Sequence, residues 1–436
     1  MISAFTALRD RAENLLPAGA RRIVGSFSVT LVGYGVLLCG LFLITRISAT
    51  VFGADGFGEY QVARRTLAVV ALPLLCGLGI SMPRYIARDI GDKREVAKWL
   101  FSGVIMASLM LVVFLCLGIL LSAQIGRWTF GNSGERWLVL ALLLGVAGMF
   151  CTTLALSVMR GLSRFHAAAV LQVLNGVVVP LIGILCADGR VERALAIAGG
   201  LWIAIACVVF LRLFRQWAIP ALSTSQVYGA IRSLFVYGAP RVPGDIALFG
   251  LFALPAYAAV HRNDMVGAGF ISVGLSLVQA IATVFAATGF VLLPYWSRAG
   301  TSAEARLIAG KRVGMLVIGS GVVATLGLVL LQIFLRLLGR LLLGRLAGAG
   351  LHDIRYVMLG AVPYVIYLVL RDYFDAVSVF PMNTVALTVA IAIQVTLFSG
   401  HWLSVSLATL ISFYALGLLM ISLWAASLFR IRTVTS

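Results

Sequence analysis

The sequence predicts an all-α polytopic membrane protein of about twelve transmembrane helices, arranged as two parallel six-helix bundles. Three observations predict it. Hydrophobic residues fill 61% of the 436 positions and charged residues 11%, and the mean hydropathy is +1.04; a soluble chain carries about 25% charged residues. Apolar spans follow one another at about 23–45, 66–86, 98–122, 137–159, 167–187, 194–211, 244–260, 266–295, 313–335, 356–370, 383–399 and 402–424. Each is near the ~20 apolar residues that cross ~30 Å of hydrocarbon, the tenth and eleventh being short. The chain is also written twice. Sliding the first half forward by 211 positions aligns the spans without a gap and lays Gly33 on Gly244, Gly56 on Gly267, Gly58 on Gly269, Pro83 on Pro294 and Arg160 on Arg371. Internal repeats of this kind build many secondary transporters.

The elements follow in order. Arg9, Asp10, Arg11 and Glu13 interrupt the first apolar run, so 1–22 reads as a cytoplasmic amphipathic segment and not as a cleavable signal peptide. The N-terminal bundle takes 23–212, a cytoplasmic linker 213–233, the C-terminal bundle 234–428 and a cytoplasmic tail 429–436. Six spans per half is an even number, so both halves enter the membrane in one direction. Such parallel repeats are related by an axis along the membrane normal and rock about a central cavity.

The second span is the hardest to place, because Arg64 and Arg65 interrupt it. Their repeat counterparts, Leu275 and Ser276, lie inside the unbroken apolar stretch 266–294. By that correspondence the second span starts near Gly58, and Arg64 lies about 10 Å along the helix from its outer end. The stretch 86–98 (IARDIGDKREVAK) mixes both signs and reads as a solvated loop helix. The longest loop on the other side, 336–355, holds no catalytic cluster. YGAPRVPG at 237–244 places prolines 240 and 243 around Arg241, a pattern that starts or breaks a helix.

The net charge of +18 needs no nucleic acid. With both termini in the cytoplasm, about two thirds of the Lys and Arg residues fall on that side, which is the positive-inside bias. Only Lys93, Lys98 and Lys311 are lysine; the rest of the 34 cations are arginine. Two explanations stand, a GC-rich genome and recognition of an anion by guanidinium forks. The six cysteines sit in apolar spans without a CxxC pair, against both a disulfide framework and a zinc site. The four histidines are scattered, so no metal is assigned. No GxxxxGK[ST] is present, and no cofactor is expected.

Charges at membrane depth carry the functional signal, since each costs roughly 2.5–3.5 kcal/mol at a helix centre. Arg46, Arg64 and Arg65 mark the outer half of the first helix pair. Across the repeat they face Tyr257, Leu275 and Ser276. They either snorkel to headgroups or line a cavity. Asp245 is the acid best placed within a span. It is a coupling-ion candidate or a static i,i+4 partner of Arg241. Arg371 leads the stretch Arg371-Asp372-Tyr373-Phe374-Asp375 at the inner end of the tenth span, where it either pairs with Asp375 or meets lipid phosphate.

With these features, and the stretches VFGADGFGEYQVARR, YGAPRVPGD and LRDYFDA, the whole chain resembles the Wzx-type oligosaccharide flippases, or polysaccharide-biosynthesis proteins, of the multidrug/oligosaccharidyl-lipid/polysaccharide (MOP) exporter superfamily. The resemblance implies a MATE/MOP-like fold in a bacterial inner membrane. It implies alternating-access flipping of an undecaprenyl-pyrophosphate-linked oligosaccharide, such as an O-antigen or exopolysaccharide repeat unit. It also suggests Arg46, Arg64, Arg65, Arg241 and Arg371 as contacts for pyrophosphate and glycan. Membrane lipids, a polysaccharide polymerase and other assembly proteins are the partners it suggests. Rivals differ in specific residues. A multidrug extruder binding cations often keeps an acid in the first span, which here ends in Arg46. A lipid II flippase usually adds two spans. A glycan polymerase or glycosyltransferase needs a large outer loop or an activating acid. A major-facilitator carrier has a GxxxDRxGRR-type loop, where this chain reads IGDKRE.

Overall fold

The computed structural model describes the backbone of residues 18–131, 136–217, 222–299, 303–377 and 382–435. Most of the segment 1–22 lies outside the described residues. The first half holds α1 (Ala18–Val51), α2 (Gly53–Leu74), α3 (Leu78–Arg88), α4 (Lys93–Leu120), α5 (Ser122–Phe130), α6 (Arg136–Gly161), α7 (Phe165–Val173), α8 (Val179–Leu185) and α9 (Val191–Gln216). A π-helical turn, Leu174–Val178, joins α7 to α8. Then follow α10 (Thr224–Gly238), α11 (Val242–His261), α12 (Met265–Ala299), α13 (Ala303–Ile333), α14 (Leu335–Leu343), α15 (Ala347–Met358), α16 (Ala361–Val377), α17 (Met382–Ser399) and α18 (Val405–Thr435). Among the described residues, ten spans are long and apolar enough to cross a membrane; the bent pair α2–α3 is an eleventh, and Gly35–Val51 is a shorter apolar helix in the first position. The protein is an all-α polytopic membrane protein of two parallel bundles.

Several segments that read as connections are helical. Helix α2 starts at Gly53, ahead of the expected start, because Asp55, Glu59, Arg64 and Arg65 lower local hydropathy without breaking helical geometry. In 86–98 only 89–92 is a connection, and the Asp92 carboxylate accepts from the Arg94 and Glu95 amides to cap α4. Helix α9 runs to Gln216, and α10 takes the second part of the linker, from Thr224, behind a capping box of Ser223 and Gln226. The far loop 336–355 is α14 and most of α15, and the tail continues α18 to Thr435.

The 47° bend between α2 and α3 has a local cause. Pro73 removes a helical donor, and Gly77 takes φ +77 beside the backbone of Gly238, where a Cβ would collide. There the first half meets α10. Arg84 stacks on the Tyr237 ring at 4.2 Å, and Tyr85 meets the same ring edge-on. We refer to this end as the linker end.

The far end is closed by elements of both halves. Helices α2 and α12 cross where Gly58 and Gly269 meet, two residues that the 211-residue repeat makes equivalent; a Cβ on Gly269 would lie 3.2 Å from the Gly58 Cα. The Phe57 and Phe270 rings are 6.5 Å apart beside them. A separate small core seals the closure, joining Ala49 and Phe57 of the first half to Phe270, Leu277, Leu342 and Leu343 of the second. Between spans such a seam is held by van der Waals packing, which close approach of the two glycines permits.

Candidate functional site

Between the halves lies a cavity of about 370 Å³. Helical periodicity decides what faces it. Helix α2 presents Tyr60, Gln61, Arg64, Arg65 and Ala68, a stripe at i, i+1, i+4, i+5 and i+8. Helix α9 presents Ala194, Leu195, Ala198 and Trp202 on the same rule. Leu37, Leu38 and Leu41 of α1, Phe249 and Phe252 of α11, and Ser276, Gln279 and Thr283 of α12 complete the main walls. Counted from Gly53, Arg64 is about 16 Å into α2, near the middle of that helix and further from its start than the ~10 Å expected from Gly58.

The two adjacent arginines differ. Arg65 reaches across the pseudo-axis to α12. Its Nη2 donates to the Ser272 carbonyl at 2.6 Å and the Ser276 hydroxyl at 2.7 Å, and its Nη1 donates to Gln279 Oε1 at 3.0 Å. Ser276 is its own repeat counterpart, 211 residues on. All three acceptors are neutral, so the bonds orient the guanidinium without cancelling its charge. Arg64 makes no hydrogen bond or ion pair with a described residue and remains a wall of the cavity. One turn before it, Gln61 is 2% exposed, and its Nε2 has no partner among the described residues. Among the described residues, no Asp or Glu lines the cavity. The site is therefore rich in donors and poor in acceptors, with two positive charges and three ring-bearing walls, Tyr60, Trp202 and the Phe249/Phe252 pair.

The π turn shapes the opposite wall. It brings Asn175 and Gly176 to the cavity; the Asn175 carbonyl accepts the Trp202 indole N–H at 3.2 Å, and its Oδ1 accepts from Thr152 at 3.1 Å. π turns commonly mark functional segments. Thr66 and Tyr257 share a hydrogen bond of 2.8 Å between α2 and α11, behind the arginine stripe.

The remaining sequence candidates lie elsewhere. The Arg46 guanidinium packs over Gly344 at the far-end closure, where its Nη1 is buried without a partner among the described residues. Asp245 stands in the first turn of α11, about 6 Å along the helix from cavity-lining Phe249. The side chains of Arg241 and Asp375 lie outside the described residues. Arg371 stands near the linker end of α16, and its carbonyl accepts from Asn383 Nδ2 at 3.2 Å. No group of three or more potential metal ligands occurs among the described residues. Sequence reasoning missed Gln61, Asn175, Trp202 and Gln279. The available signal was weak: uncharged polar or aromatic residues within apolar spans.

No protein-family model matches the chain, and no curated protein matches it. Solved structures do. The lipid II flippase MurJ in an inward closed conformation aligns with a TM-score of 0.69 at 14% identity, over 91% of this chain and 86% of that one. A multidrug-resistance MATE transporter of the MOP superfamily, in an inward-facing conformation, aligns at 0.67 and 13% identity, over 93% and 96%. A MOP-superfamily transporter from Pyrococcus furiosus, described as having a binding pocket of reverse polarity, aligns at 0.58 and 14% identity, over 94% and 96%. At these identities the likeness is one of architecture: the chain has the fold of the MOP-superfamily transporters.

Proposed function

We propose that this protein flips an undecaprenyl-pyrophosphate-linked oligosaccharide, an O-antigen or exopolysaccharide repeat unit, across a bacterial inner membrane by alternating access. One observation carries the reading: a cavity between the halves holds two arginines and, among the described residues, no lining acid. In a medium of low effective dielectric, a phosphate 4 Å from a guanidinium gains about 4 kcal/mol at ε ≈ 20. Arg64 and Gln61 offer the unused donors, and the ring-bearing walls suit sugar faces. The linker end is then cytoplasmic, as the positive-inside bias favours, and the closed far end faces the periplasm. The lipid tail stays in the bilayer while the headgroup crosses. Arg46, Arg241 and Arg371 remain substrate-contact proposals at the periphery, and Asp245 a coupling-ion proposal. A polysaccharide polymerase and other assembly proteins are the proposed partners.

The cation-antiporter alternative has less support, because two cavity arginines, with no acid among the described lining residues, repel a cationic drug. The glycan polymerase or glycosyltransferase alternative lacks a large loop at the far end, where 336–355 is almost wholly helical.

The test is flipping of a fluorescent undecaprenyl-pyrophosphate glycan in proteoliposomes. Losing one charge-assisted contact worth about 1.5–3 kcal/mol weakens substrate affinity roughly 10- to 100-fold, so Arg64→Ala is expected to lower flipping at low substrate by about that factor and Arg64→Lys to retain part of it. Full activity of Arg64→Ala at equal reconstitution removes the anion-carrying role. Asp245→Asn is expected to flatten the pH response; an unchanged response removes Asp245 as the coupling site.

A further inference from the structure

A second basic feature stands outside the cavity, on the membrane-facing side of the first half. Near the linker end, α7 and α9 leave between them a groove of about 700 Å³. Its walls are apolar, formed by Val170, Leu171 and Leu174 against Ala204, Ile205 and Val208. Val170 is 60% exposed and Val208 50%, so the groove opens outward, where a spanning helix meets acyl chains. Its rim is basic: Arg164, His166 and Arg212 all line it.

The charge is unopposed. No Asp or Glu occurs from 160 to 187 or from 193 to 244, which covers both groove-forming segments. Arg164 Nη2 donates to the neutral Gln216 Oε1 at 2.8 Å, which ties the guanidinium across the two helices and leaves its charge intact. Arg212 is exposed and makes no bond with a described residue. Basic pockets between spans at the headgroup level are the usual form of an anionic-lipid site.

We propose that this groove binds one anionic phospholipid of the leaflet at the linker end, with an acyl chain between α7 and α9 and its phosphate on Arg164 and Arg212. An anionic headgroup is favoured over a zwitterionic one because the rim has no carboxylate to receive an ammonium. The site is behind the central cavity: Leu174 lines the groove and opens the π turn, and the next two residues, Asn175 and Gly176, line the cavity. An occupied groove therefore buttresses the turn that holds Asn175 against Trp202. The proposal does not depend on the transported substrate or on which face of the membrane the linker end occupies.

Native mass spectrometry of the full chain, titrated separately with phosphatidylglycerol and phosphatidylethanolamine, tests it. The wild type is expected to retain one phosphatidylglycerol with a preference on the order of tenfold, from two arginines at the headgroup level. The double variant Arg164→Gln/Arg212→Gln loses that preference while its phosphatidylethanolamine binding stays unchanged. Ala204→Phe, at an exposed position with both arginines intact, lowers occupancy by filling the groove. Equal retention of the two lipids by the wild type, or an undiminished preference in the double variant, overturns the proposal; the arginines would then serve membrane orientation alone. Undiminished phosphatidylglycerol occupancy in Ala204→Phe would place the lipid elsewhere.

Discussion

Arg65 holds the two halves together across the pseudo-axis, and its removal should loosen the far-end closure. Three hydrogen bonds from a cation link α2 to α12, at 2.6, 2.7 and 3.0 Å. Each such bond contributes about 1.5–3 kcal/mol, but bonds on one guanidinium are not additive. In an open state water would recover part of its solvation. The net difference between closed and open states is therefore about 2–4 kcal/mol, which is roughly a 30- to 1000-fold shift in their ratio. Spin labels on Asp55→Cys in α2 and His352→Cys in α15, both exposed near the far end, read the separation by double electron–electron resonance. Arg65→Gln is expected to add a population at longer distance. Arg65→Lys should be intermediate, because an ammonium cannot reproduce the planar fork. Arg64→Gln should leave the distances unchanged, since Arg64 bonds nothing across the axis. An unaltered distribution in Arg65→Gln would refute the clamp and leave closure to the Gly58–Gly269 crossing and the Phe57–Phe270 contact alone.

Other expectations follow from single contacts. Gly77→Ala places a Cβ against the Gly238 backbone and forces a left-handed φ on an L-residue, so it should lower thermal stability by about 2–4 kcal/mol; a variant within 0.5 kcal/mol of wild type would show that the bend relaxes freely. Asp89 lies outside the membrane at the linker end. The Arg88 guanidinium, then the Trp99 indole N–H, hold its carboxyl down to about 2. A depressed folded pKa stabilises above the unfolded value near 4, and the contribution is lost as pH falls from about 4 through 2. The Trp99 emission, isolated as the difference from Trp99→Phe, should therefore change near pH 2; a midpoint near 4 would show that the Arg88 and Trp99 bonds do not hold in solution.

The repeat was legible because it is covalent information: glycine, proline and apolar length recur at one offset whatever the packing. It even marked Gly58 and Gly269, which the structure brings into contact on the axis. Depth was less legible. Hydropathy averages over a window, so Arg64 and Arg65 pulled the expected start of the second span from Gly53 towards Gly58 or beyond, though both are helical and face a cavity that needs no lipid-compatible surface.

The sequence by itself determined the class and the asymmetry of charge between the halves, because burial in hydrocarbon constrains composition span by span. It could not separate Arg64 from Arg65. They are neighbours of identical chemistry, and their difference lies in what α12 presents 211 residues later. Only tertiary structure decided that Arg65 is tied to Ser272, Ser276 and Gln279 while Arg64 is left to the cavity, that Arg46 packs over Gly344, and that a π turn brings Asn175 to the opposite wall. The physical reason is that a hydrogen bond depends on distance and direction between helices, and neither is encoded in the periodicity of one helix.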